Sequence, residues 1–381
     1  MNLSSFISSL KNFEKTRDKN HFQEYSLGCF ENVLAEFRLF ARIDSTRISI
    51  VGTNGKGSTA HYLSKIGNKF FSNIGLYTSP HLIHRNERIV LQNDTITDEW
   101  IEKWMESLDK QKLKLLESLS FFEFYTLIAI QFFESSNSKF QIYEAGLGGR
   151  LDATKLAYSD YLVITMIGLD HEAILGNTKE KILIEKLGIT TDKTKKIFYI
   201  LQEEKLNSIV EQFGKQNNIH CIAFSMDPRL DYLENNFLYS KFILSEILGK
   251  KIEVDITTID PPKARIEMLS ENPLVIFDTA HNPEAVKHLL ESCEIKFKTK
   301  VWKVIVAVLK DKNLEEILDI LNKNDSISEI LLVKSDEFQL TEKKFSKLKI
   351  IESIPRITEN TICFGSFRLY EKVIKQLKDN Y

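Results

Sequence analysis

Ile48-Ser49-Ile50-Val51-Gly52-Thr53-Asn54-Gly55-Lys56-Gly57-Ser58-Thr59 is the stretch on which the fold turns. Its first four residues read as a buried strand, the glycines that follow as a tight turn, and Thr59–Phe71 as a helical pattern. A strand, a glycine loop and a helix in that order place backbone N–H groups and a lysine where they can hold a triphosphate. The glycines permit close backbone approach, and Lys56 is a mobile point charge for the β and γ phosphates. The spacing departs from the common G-x-x-x-x-G-K-[ST] loop, because Gly57 separates the lysine from the hydroxyl. An ordinary glycine-rich turn is the rival reading, and the periodicities on both flanks argue against it. Asn54, Gly55, Lys56, Gly57 and Ser58 are therefore the candidate nucleotide contacts.

Outward from this loop, strand patterns at Ile48–Val51, Ile74–Tyr77, Gln141–Glu144, Tyr161–Ile167 and Lys196–Ile200 alternate with helical ones. The helices are expected at Thr59–Phe71, Asp98–Leu116, Phe122–Glu134 and Lys179–Leu187. Such alternation predicts a mostly parallel sheet with helices on both faces. Its site lies beyond the carboxyl ends of the strands, where Gly52–Ser58, Thr78–His81 and Glu144–Asp152 would gather. Residues 201–258 read as a helix-rich polar segment with few strong strands, and Asp260-Pro261-Pro262 then punctuates the chain. A second alternation follows, with strands at Leu274–Asp278, Val301–Val308, Ile330–Val333 and Thr361–Phe364 and helices at Pro283–Cys293, Leu314–Leu321 and Phe367–Lys378. The expected fold is α/β: a P-loop parallel-sheet ATPase domain over residues 1–259, with 201–259 a reduced middle segment, then a smaller Rossmann-like α/β domain over 260–381. A site formed between two such lobes is the expectation.

Bulk composition narrows the function classes. Lys and Arg number 51 against 53 Asp and Glu, a net charge of −2, so no basic excess argues for nucleic acid. The four cysteines have no C-x-x-C spacing, which argues against a zinc or disulfide scaffold and favours a reducing compartment. Met1 to Lys11 lacks the pattern of a signal peptide, and no run of 18 apolar residues occurs, so a cytoplasmic protein without a membrane span is expected.

Other constellations accompany the loop. Glu144-Ala145-Gly146-Leu147-Gly148-Gly149-Arg150-Leu151-Asp152-Ala153-Thr154 sets a carboxylate at the end of a buried strand, then three glycines, an arginine and an aspartate. Glu144 suits a magnesium ligand and Asp152 an orienting group for substrate. Thr78-Ser79-Pro80-His81-Leu82 reads alone as a surface turn. His171 follows a strand close to that carboxylate, which raises it above a merely structural histidine. Lys186, at a helix end, reads in isolation as a favourable C-terminal charge. In the second half, Asp278-Thr279-Ala280-His281-Asn282-Pro283 ends a strand and opens a helix. Asp278 or Asn282 could cap that helix, or Asp278 and His281 could reach a nucleotide, with Arg265 adding charge.

Together these stretches resemble the folate branch of the Mur ligase superfamily, the dihydrofolate synthase/folylpolyglutamate synthase group. The likeness is carried by Gly52–Thr59, Leu76–Leu82 with Asn86–Ile89, Glu144–Thr154, Ile167–Gly176 with Glu185–Ile189, Arg265-Ile266-Glu267, Asp278–Pro283, Val308–Lys312 and Gly365-Ser366. They run in the family's order over nearly the whole chain. The resemblance implies an ATP-dependent amide ligase: ATP phosphorylates a substrate carboxylate, and the amine of L-glutamate displaces phosphate from the acyl phosphate. It implies phosphate contacts at Gly55–Ser58, magnesium (two ions) at Ser79, Glu144 and His171, and a carbamylated Lys186. Asn235, Arg265, Asp278 and His281 fall to the nucleotide. Ser120, Phe121, Phe122, Glu123, Leu151, Asp152 and Ala153 fall to the pterin substrate, dihydropteroate or a reduced folate. The catalytic set is Lys56, Lys186, Asp152 and His171, in a chain expected to be a monomer.

The chain also departs from the pattern. Thr279 and Ala264 stand where glycine is usual, and Leu187 where alanine is common after the lysine. The segment between Ile189 and Asp260 is shorter than usual, and its H-Q-x-x-N motif survives only as Asp231-Tyr232-Leu233-Glu234-Asn235. Two rival functions follow: a related amino-acid ligase acting on another carboxylate, such as a peptidoglycan precursor, or a folate- or nucleotide-binding homologue that no longer ligates.

Overall fold

The computed structural model describes residues 2–13, 26–39, 44–297 and 301–378. Two compact units divide the chain: Met1–Met226 with Tyr239–Asp255, and Asp227–Leu238 with Ile256–Tyr381. The proline punctuation at 261–262 thus lies a few residues inside the second unit, which also claims the short stretch 227–238.

In the first unit eight strands form one sheet: β1 (Thr46–Val51), β2 (Ile74–Tyr77), β3 (Ile89–Leu91), β4 (Asp94–Thr95), β5 (Phe140–Glu144), β6 (Tyr161–Ile164), β7 (Lys196–Ile200) and β8 (His220–Phe224). Their order across the sheet is β4-β3-β2-β5-β1-β6-β7-β8. From β2 through β8 every pairing is parallel, and only the β2–β3 and β3–β4 pairs are antiparallel. β1, β2 and β5 are buried at almost every position, and the polar Arg47 and Gln141 among them are paired with Glu134 rather than left to solvent. The chain leaves β1 towards β2 on one side and reaches β6 on the other. Such a reversal opens a crevice at the carboxyl ends, and the glycine loop after β1 lies there.

The second unit carries a six-stranded sheet of β9 (Glu267–Glu271), β10 (Leu274–Asp278), β11 (Trp302–Ala307), β12 (Ile327–Val333), β13 (Leu348–Ile351) and β14 (Thr361–Gly365). Its order is β13-β12-β11-β14-β10-β9, parallel except for the β9–β10 pair. Both sheets are thus α/β layers of the expected class. Among the described residues no helix is long and apolar enough to cross a membrane.

Two local expectations need correction, and a third gains detail. The helix expected over Asp98–Leu116 is two, Asp98–Glu106 and Lys110–Leu116, because the Asp109 carboxylate accepts from Lys112 N at 2.8 Å and starts a new helix. The strand expected to run to Ile167 stops at Ile164, and the backbone then turns so that Met166 O accepts from Thr53 N (2.7 Å) and Asn54 N (3.2 Å). The polar segment after residue 201 contributes the edge strand β8 between the helices Glu204–Asn217 and Tyr232–Leu248.

Candidate functional site

Gly55 opens the helix Lys56–Gly67 in the left-handed region (φ 89°), a conformation glycine adopts without a Cβ penalty. At Gly52 the need is spatial: a Cβ there would sit 1.9 Å from Thr165 Oγ1. That hydroxyl donates to Asn54 O at 2.7 Å, and Thr53 Oγ1 donates to Gly168 O at 2.9 Å, so the segment after β6 clamps the loop. Lys56 Nζ donates to Gly52 O (3.0 Å) and Thr53 O (3.3 Å), which places its charge over the loop. Ser58 Oγ is buried without a hydrogen-bond partner, as a hydroxyl reserved for a ligand would be.

The Glu144 carboxylate, at the end of β5, faces the first turn of that helix. Its Oε1 lies 3.5 Å from where a Gly57 Cβ would stand, and its Oε2 accepts from Ser79 N at 3.1 Å. Ser79, Glu144 and the glycine loop therefore converge. His171 sits in the left-handed region (φ 51°) with its backbone N donating to Asp170 Oδ1 at 2.9 Å. Among the described residues no three His, Cys, Asp or Glu side chains could hold a metal by themselves. The Glu144 carboxylate is an oxygen donor of the kind magnesium takes, with phosphate oxygens and water able to complete the shell, whereas the His171 imidazole is a softer donor than that ion prefers.

Asp152 is spent inside its own loop. One carboxylate oxygen accepts from Gly146 N (2.8 Å) and Leu147 N (2.9 Å), and the other from Thr154 N (3.0 Å) and the Thr154 hydroxyl. It shapes the glycine turn, while burial pushes its carboxyl pKa up. Gly149 lets that turn lie on the helix Lys179–Leu187, since a Cβ there would meet Lys186 O at 2.5 Å. Lys186 is 4% exposed. Burial first, then the charge of Lys56, lowers its ammonium pKa to about 7, with Asp170 and Asp152 opposing.

On the expected pterin side, Ser120 and Glu123 form a capping box for the helix Phe121–Ser135: Glu123 N donates to Ser120 Oγ (3.2 Å) and Ser120 N to Glu123 Oε2 (2.7 Å). Both side chains are thereby occupied. Phe122 reaches the glycine turn, its ring 2.8 Å from where a Gly146 Cβ would be, while Ala153 is buried and Leu151 partly so. Residue patterns assign no role to Arg88 or His81. The wholly buried Arg88 guanidinium lies 5.0 Å from the Phe121 ring centroid, and its Nε donates to His81 Nδ1 at 2.9 Å. The usable signal was the pairing of the T-S-P-H turn with Asn86-Glu87-Arg88, since Glu87 accepts from Leu82 N and His84 N, both at 2.8 Å, and folds the two together.

In the second unit Asp278 ends β10, and Ala280 and His281 follow it. Asn282 caps the next helix by accepting from Ala285 N at 2.9 Å, so the capping role is its own. His281 Nδ1 lies 2.8 Å from Thr279 O. Arg265 extends over the Phe367 ring at 5.6 Å. Asn235 is 3% exposed, and its amide is occupied by the turn before it: Oδ1 accepts from Asp227 N (2.8 Å), and Nδ2 donates to Asp227 O (2.9 Å), Leu230 O and Asp231 O (both 3.2 Å).

No protein-family model matches the chain. It is 32% identical to the dihydrofolate synthase/folylpolyglutamate synthase of Buchnera aphidicola subsp. Acyrthosiphon pisum over 307 residues, 72% of each chain. Its fold superimposes on Escherichia coli FolC, solved with DHPP and ADP, at a TM-score of 0.77 and 22% identity, covering 95% of this chain and 97% of the other. A bifunctional folylpolyglutamate synthase/dihydrofolate synthase with Mn, AMPPNP and L-glutamate bound gives 0.73 at 23% identity, covering 93% and 95%. The chain belongs to the dihydrofolate synthase/folylpolyglutamate synthase family, whose members are ATP-dependent ligases of L-glutamate.

Proposed function

We propose that this chain joins L-glutamate to dihydropteroate, to reduced folates, or to both, with the residues gathered around the glycine loop as its machinery. The observation that carries the reading is the Glu144 carboxylate held against the first turn of the phosphate-loop helix beside Ser79. A carboxylate facing the end of a helix that binds phosphate is unfavourable for the nucleotide unless a cation lies between them. Ser79, Glu144 and His171 would hold magnesium, the expected count being two ions, and bound magnesium offsets charge on the transferring phosphoryl group. The relatives solved with ADP, and with Mn, AMPPNP and L-glutamate, support the same assignment.

In the reaction, a substrate carboxylate oxygen attacks the γ-phosphorus and ADP leaves, giving an acyl phosphate. The glutamate amine then attacks the acyl carbon, phosphate leaves, and the amine proton passes to solvent or phosphate. Gly55, Lys56, Gly57 and Ser58 orient the triphosphate, and Lys56 moves from its loop carbonyls to the γ-phosphate as negative charge spreads. Asn54 is held by Thr165 at the loop's entry. Lys186, with its pKa near 7, is substantially a neutral amine at neutral pH and adds to carbon dioxide, releasing one proton and leaving a carbamate anion. That anion removes the repulsion from Lys56. Asp152 acts by shaping the turn that presents Leu151 and Ala153, with Phe121 and Phe122 as the apolar wall for a pterin ring. Arg265 and His281 serve the nucleotide. The enzyme is assigned as a monomer, as the family resemblance implies, and as cytoplasmic, on its scattered cysteines.

Glutamate-dependent phosphate release from MgATP, with dihydropteroate and tetrahydrofolate side by side, tests this. Turnover with dihydropteroate alone marks first-glutamate addition, with tetrahydrofolate alone tail extension, and with both a bifunctional enzyme. No release with either pterin substrate overturns the proposal.

A further inference from the structure

We propose that Tyr232 is a positioning residue for Arg265, acting through the Asp278 carboxylate. The proposal rests on the reading of Arg265 as a nucleotide contact. Arg265 stands between Ala264 (φ 55°) and Ile266 (φ 42°), both in the left-handed region. A β-branched residue there is held against its own preference, so something outside the turn must fix it. Two carboxylates do. Ala264 N donates to Glu267 Oε2 at 2.6 Å, and Ile266 N donates to Asp278 Oδ2 at 2.9 Å. Tyr370 OH donates to the other oxygen of Glu267 at 3.0 Å, and the Tyr232 hydroxyl donates to Asp278 Oδ2. Asp278 Oδ1 accepts from Ala280 N at 2.7 Å. With three protein donors and 3% exposure, Asp278 is a brace for the Arg265 turn.

Tyr232 is itself seated by its helix start. The Asp231 carboxylate accepts from Leu233 N (2.7 Å) and Glu234 N (2.9 Å), and Tyr232 N donates to Ser292 Oγ at 3.3 Å. Burial and the Asp278 charge hold its phenol well above the ordinary tyrosine pKa, so it remains a donor at any working pH. Tyr232 lies in the segment where the H-Q-x-x-N pattern is lost and where Asn235 is occupied by its own turn. The phenol thus supplies an anchor in a stretch whose asparagine does not.

The test is the affinity of the full chain for MgATP, measured calorimetrically without acceptor, for wild type, Tyr232→Phe, Arg265→Ala and the double variant. Tyr232→Phe is expected to weaken binding about tenfold. In the Arg265→Ala background it is expected to have no further effect, because the group it positions is gone. Wild-type affinity in Tyr232→Phe, or an undiminished loss in the Arg265→Ala background, overturns the proposal. Unchanged affinity in Arg265→Ala instead overturns the nucleotide reading of Arg265. Should Tyr232→Phe fail to fold, Ser292→Ala loosens the same seat and is expected to weaken MgATP in the same direction, again only while Arg265 is present. Wild-type affinity in that variant also overturns the proposal.

Discussion

Lys186 shows how a single buried charge can cost stability, a cost that the carbamate proposed for it would relieve. Its ammonium is buried beside Lys56, and its pKa falls from 10.5 to about 7. Without carbon dioxide, folded and unfolded chains both carry the charge below about pH 7, where the burial penalty is felt in full. Between about 7 and 10.5 the unfolded chain binds the extra proton, so stability rises with pH across that window. At about 1.4 kcal/mol per pKa unit, the effect amounts to a few kcal/mol. Lys186→Met in carbon-dioxide-free buffer should therefore raise the melting temperature most at pH 6 and flatten its rise towards pH 10. The same variant should release no phosphate in the glutamate-dependent assay. Wild-type turnover, or a lowered melting point at pH 6, would contradict the role given to this lysine.

Elements meet at the glycine turn after β5, where the loop rests on the helix Lys179–Leu187. Gly149→Ala would push a methyl against Lys186 O, and backbone cannot yield as a flexible side chain can. The loop must lift, at an expected cost of about 1–3 kcal/mol in denaturant melts. Ligation should fall at least tenfold, since Glu144 and Lys186 stand on the two parts that separate. Ser120→Ala offers a contrast. It removes one capping bond from the helix Phe121–Ser135, so about 1 kcal/mol of stability should be lost. KM for the pterin substrate should stay within about twofold, because the hydroxyl is turned to the helix; a larger change would restore Ser120 to the substrate side. Elements buried on both faces were readable to within a residue or two, as β1, β2 and β5 show, because each keeps a mostly apolar stretch even though β1 also buries Arg47 and Ser49 and β5 Gln141 and Glu144. Strands at or near the edges were not. In β9 and β13 polar residues interrupt the apolar ones, β8 is only partly buried, and pairing with one neighbour leaves little trace in the pattern. The site divides similarly. Glycine loops announce themselves because backbone approach demands a residue type, whereas the Arg88–His81 contact and the occupied amide of Asn235 depend on how turns fold.

For the whole molecule, a net charge of −2 provides no long-range attraction for a polyanion, so nucleotide affinity has to arise locally. On the proposed reading the first unit concentrates it where Lys56, the helix start at Gly55 and the orphaned Ser58 hydroxyl meet. Ligand that binds only the folded chain stabilises it, by about 2.7 kcal/mol at one hundred times Kd. MgATP without acceptor should therefore raise the melting temperature by several degrees. Two compact units need not unfold together, so the shift should be read by a probe within the first unit, such as the Trp100 and Trp104 pair stacked at 6.5 Å. Lys56→Ala should fold as wild type does, because Gly52 O and Thr53 O, to which Lys56 donates, belong to a loop that Thr165 and Met166 already hold. It should nevertheless lose most of the MgATP-induced shift. A full shift in that variant would mean that the nucleotide is held elsewhere, and the assignment of the loop after β1 would fall with it.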